Sequence, residues 1–187
     1  PTFFELTKSF RQEEDDIFYE LLNNIRLGIN LEDTINRINK HCHDPTLEVE
    51  PFMTLTSRKN RAEDINLHKL SHNDNEEEVI PSKEKGELKE NDLPAPRELK
   101  IKKDAKVMFI KNDSEGRWVN GTIGTVTECL DKNKKCIKVK IGKKTHKVER
   151  EEWKKVKFTY NEDLDEVYEE VVSSFKQFPI KLGWAVT

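Results

Sequence analysis

Arg11 stands where a side chain could reach a phosphate on a neighbouring domain. The opening segment FFELTKSFRQ, residues 3–12, has a strand-like start and a short polar turn, and its arginine directly precedes a helical pattern. A guanidinium at the edge of an α/β domain can contact a triphosphate bound by another domain, because its planar fork matches phosphate oxygens. The alternative is an ordinary surface ion pair with Glu14 or Asp15, which the residues alone favour.

Other polar motifs do not build a complete nucleotide or metal site. The segment IGKKTH, residues 141–146, matches a phosphate-binding loop only in part. Ile137 stands where such a loop has its first glycine, and Lys144 stands where it has Ser or Thr. His41, Cys42 and His43 are zinc-ligand types, but adjacent residues rarely converge on one ion and no second pair follows at ligand spacing. The acidic run at 13–16 begins a helix, where carboxylates complement the helix dipole. The sequence therefore predicts no metal site.

Composition limits the class of protein. The chain has 187 residues, of which 34% are hydrophobic and 37% charged, which indicates one domain or two small ones. It contains no apolar run of the roughly 20 residues that a membrane span needs, and no signal-peptide pattern at the start. Its three cysteines lack CxxC spacing, so we expect reduced thiols and no disulfide framework. These features predict a cytoplasmic protein of bacterial type without a membrane partner.

The first half of the chain has the pattern of an α/β fragment. Apolar spacing predicts helices over 15–27 and from Leu31 to about His41, then a short strand at 52–57 and a helix over 59–70. From 71 to 97 the sequence is rich in charge and poor in apolar residues. We expect an extended connection there, with one short strand near Val79.

The period then changes to two, which predicts short strands separated by turns. Four of these strands are AKVMFIKND, GTIGTVTEC, CIKVKI and THKVE. Five short strands within about 60 residues imply a small barrel. Residues 98–157 carry 18 Lys and Arg against 9 Asp and Glu, a net charge of +9, whereas the remainder carries 15 against 27, or −12. A surface that follows a nucleic-acid backbone would be basic in this way, and so would a solvated β domain.

The last 30 residues allow two interpretations. Apolar residues between Leu164 and Phe175 fit a helical face, yet KKVKFTY followed by a turn and EEVVSSF suits a hairpin equally. The spacing alone favours the helix. The final run, Ile180 to Val186, has the composition of a strand buried on both faces of a parallel sheet.

Four ordered segments resemble superfamily 1B DNA helicases, most closely the petite-integration-frequency (PIF) type and its kin RecD and Dda. They are ELTKSFRQ, LTSRKNRAEDIN, KKDAKVMFIKND with RWVNGTIGTV, and FKQFPIKLGWAVT. The resemblance covers nearly the whole chain. In these helicases the Trp-Ala-Val-Thr strand runs into an Ile-His-Lys-Ser-Gln-Gly segment, so the resemblance implies a chain that stops inside a motif. Gly183 departs from the alanine common there, a change that we expect to be small.

The resemblance implies an α/β fold: part of the second RecA-like motor domain of a P-loop NTPase, with an inserted SH3-like β-barrel. Its expected parts are residues 1–97, the barrel at 98–157 and a return hairpin and strand at 158–187. This family usually has an extended hairpin before FKQFP, so the resemblance favours strands at 155–160 and 167–175 over the helix. The +9 charge suits a barrel that covers a DNA channel or guides a duplex.

The same resemblance implies roles for five residues. Arg11 matches the arginine that contacts the γ-phosphate from the second domain, and Gln12 accompanies it. Thr56 and Arg58 match the start of a segment that holds single-stranded DNA, and Thr187 matches the threonine that opens the next DNA-contacting motif. Hydroxyl and guanidinium groups suit phosphate oxygens, which position a strand without reading its sequence.

The implied function is ATP-dependent DNA unwinding, of use in DNA repair and recombination. ATP and Mg²⁺ would be cofactors of the intact protein, and single-stranded and fork DNA and the missing first motor domain would be its partners. Because Walker A and B motifs are absent, we expect this chain alone to bind neither cofactor and to be inactive. The alternative is a non-catalytic SH3-like module that binds nucleic acid or protein.

Overall fold

The computed structural model describes residues 4, 16–42, 53–90, 93–130, 135–161 and 165–187. The chain divides into two compact units, Pro1–Glu48 and Val49–Thr187. Arg11 and Gln12 lie outside the described residues, as do Glu14, Asp15 and His43. The functional site described below is therefore built from the second unit.

The first unit contains two helices, α1 (Asp16–Leu27) and α2 (Leu31–Cys42). The helix α1 ends at Gly28, whose φ of 70° lies in the left-handed region that glycine adopts without strain. Arg37 on α2 donates to Glu20 on α1 over 3.1 Å, which ties the two helices together. Both predicted helices are confirmed within one residue at the ends that can be compared.

The second unit contains one helix, α3 (Lys59–Ser71), and short strands in the described ranges. The strands are β1 (Thr54–Leu55), β2 (Glu77–Pro81), β3 (Lys83–Lys85), β4 (Glu98–Lys102), β5 (Lys106–Phe109), β6 (Ile123–Glu128), β7 (Cys136–Ile141), β8 (Lys144–Glu149), β9 (Glu151–Asn161), β10 (Glu166–Gln177), β11 (Ile180–Leu182) and β12 (Ala185–Val186). None of the helices in the described part of the chain is long and apolar enough to cross a membrane.

The charged segment between α3 and β4 is more ordered than its composition suggests. The strand β2 pairs antiparallel with β4 over five residue pairs, and β3 pairs with β10. The buried side chain of Gln177 donates to the Ile80 carbonyl oxygen over 3.0 Å, so this segment is held against the end of β10. The strand expected near Val79 is present. A second strand, β3, was not predicted because its three residues are all charged.

Five antiparallel strands form the central sheet, in the order β11-β5-β6-β7-β8. Its inner face is fully buried at Val107, Phe109, Val126 and Val139, because alternate side chains of each strand share one face. The edge strands β11 and β8 do not pair with each other in the described residues, so the sheet is open where a barrel would close. The five short strands expected within 98–157 are present as β4 to β8, but β4 pairs with β2, and the fifth strand of the central sheet is β11, from residues 180–182.

The strands β9 and β10 form a long antiparallel hairpin, so the helix that the spacing favours at 164–175 is wrong. The family resemblance gave the hairpin correctly. Register pairs run from Glu151 with Gln177 to Asn161 with Glu166, interrupted by a bulge between Val171 and Ser173. All residues from 165 to 172 are exposed. A ribbon that buries neither face places no period-two constraint on its apolar residues, which explains the misleading pattern.

The final apolar run is two strands rather than one. The strand β11 pairs antiparallel with β5, whereas β12 pairs parallel with β1. Gly183 lies between them, and a Cβ there would stand 2.8 Å from the carbonyl carbon of Val107. Its departure from alanine is therefore not small in this structure, because any side chain would press on the backbone of β5.

Candidate nucleic-acid interface

Thr56 and Thr187 lie at the carboxyl ends of the parallel strands β1 and β12, and we call this end of the strand pair its edge. In the register of β1 and β12, Thr54 stands opposite Ala185 and Leu55 opposite Val186. The Thr56 amide continues the ladder by donating to the Val186 carbonyl oxygen over 2.9 Å. Each threonine is therefore the first residue after its strand. Since parallel strands end at the same edge, the structure brings the two predicted threonines together.

The N-terminus of α3 lies at this same edge, because two residues separate Thr56 from the helix. The Thr56 hydroxyl oxygen accepts a hydrogen bond from the Arg58 amide over 3.2 Å, which shapes the turn into α3. Arg58 is the N-cap residue, has an extended backbone and makes no side-chain capping bond. The first amides of α3 consequently remain as hydrogen-bond donors at the positive end of the helix dipole.

The charge at this helix start is positive. Arg58, Lys59 and Arg61 are exposed, and the first turn of α3 has no acidic residue. Within the described ranges no carboxylate lies within ion-pair distance of these three side chains. A helix N-terminus usually attracts acidic side chains. Basic residues there, next to free amides, favour an external anion such as a phosphate.

Asn66 fixes the strand that carries Thr187, and the sequence analysis gave it no role. Its side-chain oxygen accepts hydrogen bonds from the amides of Trp184 and Ala185, at 3.0 and 2.9 Å. Its side-chain nitrogen donates to the Ala185 carbonyl oxygen over 2.8 Å. The signal in the sequence was a polar residue on the buried stripe of α3, four residues from both Ala62 and Leu70. Buried asparagines are usually hydrogen-bonded, so such a position indicates a specific partner.

A second basic surface lies on the outer face of the central sheet. Lys138 and Lys147 stand opposite each other in β7 and β8, and Lys138 is neutralised by Glu128 at 2.6 Å. Lys140 and Lys147 are exposed, as are Lys143 in the turn between the strands and Lys144 at the start of β8. None of these four lysines has an ion pair in the described part of the chain. These four lysines therefore contribute positive charge that is not neutralised locally.

No group of three or more His, Cys, Asp or Glu side chains that could hold a metal ion occurs in the described ranges. Cys129 and Cys136 are buried, and burial raises the pKa of the Cys129 thiol to about 11. A thiol with so high a pKa remains protonated and unreactive at neutral pH.

Comparison with known proteins places these features in one family. No family model matches the chain. The ATP-dependent DNA helicase Pif1 of Bdellovibrio bacteriovorus is 30% identical over 178 residues, which cover 92% of this chain and 38% of that protein. A crystal structure of Bacteroides sp Pif1 in complex with ADP-AlF4 superposes with a TM-score of 0.81 and 30% identity, over 97% of this chain and 41% of that one.

Two structures of Pif1 with DNA are also similar. Bacteroides Pif1 bound to single-stranded DNA gives a TM-score of 0.65 at 29% identity, over 91% of this chain and 38% of that one. A structure that describes unwinding at forked duplex DNA by two coordinating Pif1 helicases gives 0.62 at 30% identity, over 97% and 39%. The chain spans about two fifths of the length of the proteins that it matches. It belongs to the PIF type of superfamily 1B DNA helicases and corresponds to a segment of these proteins.

Proposed function

We propose that this chain is part of the second motor domain of an ATP-dependent DNA helicase and that the edge formed by β1, β12 and α3 holds single-stranded DNA. The observation that carries the proposal is the convergence of Thr56, Thr187 and the basic start of α3 at one strand edge. Bound single-stranded DNA in the Bacteroides relative supports the ligand class. Fork DNA is proposed as a partner on the same grounds.

The chemistry of the edge suits phosphate oxygens rather than bases. The free amides at the start of α3 and the Thr187 hydroxyl are neutral donors, and Arg58 adds a charged one. None of these groups is placed on a stacking surface or in a pocket that could distinguish bases, so contact would be independent of sequence. A motor that advances along any sequence needs this kind of contact.

For the nucleotide, we propose that Arg11 contacts the γ-phosphate of ATP held with Mg²⁺ by a first motor domain, with Gln12 beside it. The support is the ELTKSFRQ motif and the nucleotide analogue in the Bacteroides relative. We also retain the proposed division into 1–97, an SH3-like insertion at 98–157 and a return segment at 158–187. The exposed lysines of β7 and β8 would then guide the duplex.

The proposal is tested by the affinity of the chain for fluorescent oligothymidylate, with the C-terminal carboxyl amidated so that its charge does not repel phosphate. Arg58→Ala should weaken binding about threefold to tenfold and reduce the slope of log affinity against log salt by about 0.7, the value for one phosphate contact on a single strand. Lys83→Ala removes the same charge from β3 and should leave both quantities near wild type.

The alternative, a binding module that uses only its basic sheet, gives a different result. In that case Lys140→Ala with Lys147→Ala should abolish binding, whereas Arg58→Ala should behave like Lys83→Ala. Equal effects of the Arg58 and Lys83 substitutions would refute the proposed edge. Circular dichroism of each variant checks that the fold is retained.

A further inference from the structure

We call the outer part of the β9–β10 hairpin, residues 156–161 and 165–171, the distal arm; in the described residues no further strand pairs with it. The inner half is anchored, because β3 pairs with residues 174–176 and the ring of Trp153 contacts that of buried Phe175 at 6.0 Å. Beyond the bulge at Val171, the described part of the arm consists of two strands alone. An isolated two-stranded ribbon is marginally stable in water, so a partner would stabilise it.

One face of the distal arm carries five apolar residues around Glu169, and most of this face is exposed. Cross-strand pairs place Val156 with Val171, Phe158 with Glu169 and Tyr160 with Val167 on this face. Phe158 is 66% exposed and Val167 is 64% exposed. Contiguous apolar surface of this kind, with aromatic side chains at its centre, is typical of an interaction site and not of a solvated strand.

The charge of the distal arm is opposite to that of the central sheet. Among its described residues, Asp165, Glu166, Glu169 and Glu170 are exposed, against a single exposed cation, Lys157. The residues 156–161 and 165–171 carry four acidic residues and one lysine, a net charge of −3. Carboxylates beside the aromatic rings repel a phosphate backbone, so the rings are unsuited to stacking on nucleic acid.

We infer that the distal arm docks a protein segment in which apolar side chains are flanked by Lys or Arg. The apolar side chains would cover Phe158, Tyr160 and Val167, and a cation would pair with Glu169, which stands opposite Phe158 on the same face. In the described residues β9 is the edge strand of its sheet, so its main chain is also open to an added strand. This inference goes beyond the proposed DNA site and stands on different residues.

The experiment follows the amide resonances of the ¹⁵N-labelled chain during titration with three probes. One is a peptide of about ten residues that alternates valine and lysine; the second replaces each lysine by glutamate; the third is an oligothymidylate of similar length. We expect the valine–lysine peptide to shift amides of the distal arm saturably. The other two probes should leave them in place.

Substitutions make the test specific. Phe158→Ser and Glu169→Lys should each weaken peptide binding at least about fivefold, as expected for loss of a central anchor or reversal of the charge beside it. Val119→Ser replaces an equally exposed valine outside the hairpin and is the matched control, with affinity unchanged. Retained amide shifts elsewhere show that each variant is folded.

Four outcomes overturn the inference. If the glutamate peptide binds as well as the lysine peptide, binding to the arm does not depend on the charge of the peptide. If oligothymidylate shifts the arm, its ligand is nucleic acid. If the arm shifts with protein concentration alone, its partner is a second copy of this chain. Absence of any shift with the lysine peptide also contradicts it. Failure of the Arg58 test leaves this result unaffected, since the two sites share no residue.

Discussion

At the scale of single residues, Asp113 organises the loop between β5 and β6. One of its oxygens accepts hydrogen bonds from the amides of Glu115 and Arg117, at 3.1 and 3.0 Å, and from the Arg117 Nε at 2.8 Å. The other accepts from Arg117 Nη2 at 2.7 Å. Arg117 lies over the ring of Trp118, which stacks on Phe109 in the core. These contacts connect the conformation of the loop between β5 and β6 to the core of the central sheet.

This arrangement predicts an acid-dependent stability. The hydrogen bonds from Arg117 lower the pKa of Asp113 from 3.8 to about 2. Because the pKa is depressed in the folded state, the stabilisation is fully present above about pH 4 and is lost as the pH falls towards 2. Asp113→Asn should therefore lower the urea midpoint at pH 7, and its difference from wild type should shrink below pH 4. A difference that is constant with pH would contradict this.

At the scale of elements, a helix and a strand are joined by one side chain. The three hydrogen bonds of Asn66 hold β12 in parallel register with β1, which aligns Thr187 with Thr56. Asn66→Ala leaves two buried amides unpaired and should reduce the free energy of unfolding by about 2–4 kcal/mol. Asn73→Ala is the control, because Asn73 bonds to the Lys103 carbonyl oxygen at an exposed turn. Urea denaturation measures the free energy of unfolding of both variants. Equal losses would contradict the role of Asn66 in holding β12.

A second prediction at the scale of elements concerns Gly183, which separates β11 from β12. Gly183 brings its backbone so near Val107 and Met108 that an added methyl must move β5. Gly183→Ala should lower the free energy of unfolding by about 1–3 kcal/mol, the usual range for overpacking. Calorimetric melting measures the change. A variant as stable as wild type would show that β5 yields without strain.

At the scale of the whole molecule, charge is segregated along the chain. The basic segment 98–157 sits within a chain that is otherwise acidic, and the distal arm is acidic at the far end of the same hairpin that begins in the basic segment. Separated charges of this kind direct different partners to different surfaces. DNA would be attracted to the sheet and the α3 edge and excluded from the arm.

The proposed division of labour between two motor domains predicts inactivity of the part. This chain alone should show no ATP hydrolysis, because it has no Walker A or B motif. In a chain that includes the first motor domain, Arg11→Ala should reduce the turnover rate by about three to five orders of magnitude, while ATP binding changes far less. Steady-state hydrolysis and nucleotide titration separate the two effects. Turnover by the purified chain, or an active Arg11→Ala helicase, would falsify the assignment.

The sequence by itself determined the helices, most strands and the family, since amphipathic spacing and ordered motifs are local properties. It also located Thr56, Arg58 and Thr187. Only the tertiary structure decided that these residues share an edge, because the pairing of β1 with β12 joins segments about 130 residues apart. The same holds for the hydrogen bonds of Asn66 and for β11 joining the central sheet, whereas the hairpin of β9 and β10 was predicted by the family resemblance and not by the apolar spacing. An exposed ribbon and a split strand have no periodic signature, since long-range pairing, and not local spacing, selects them.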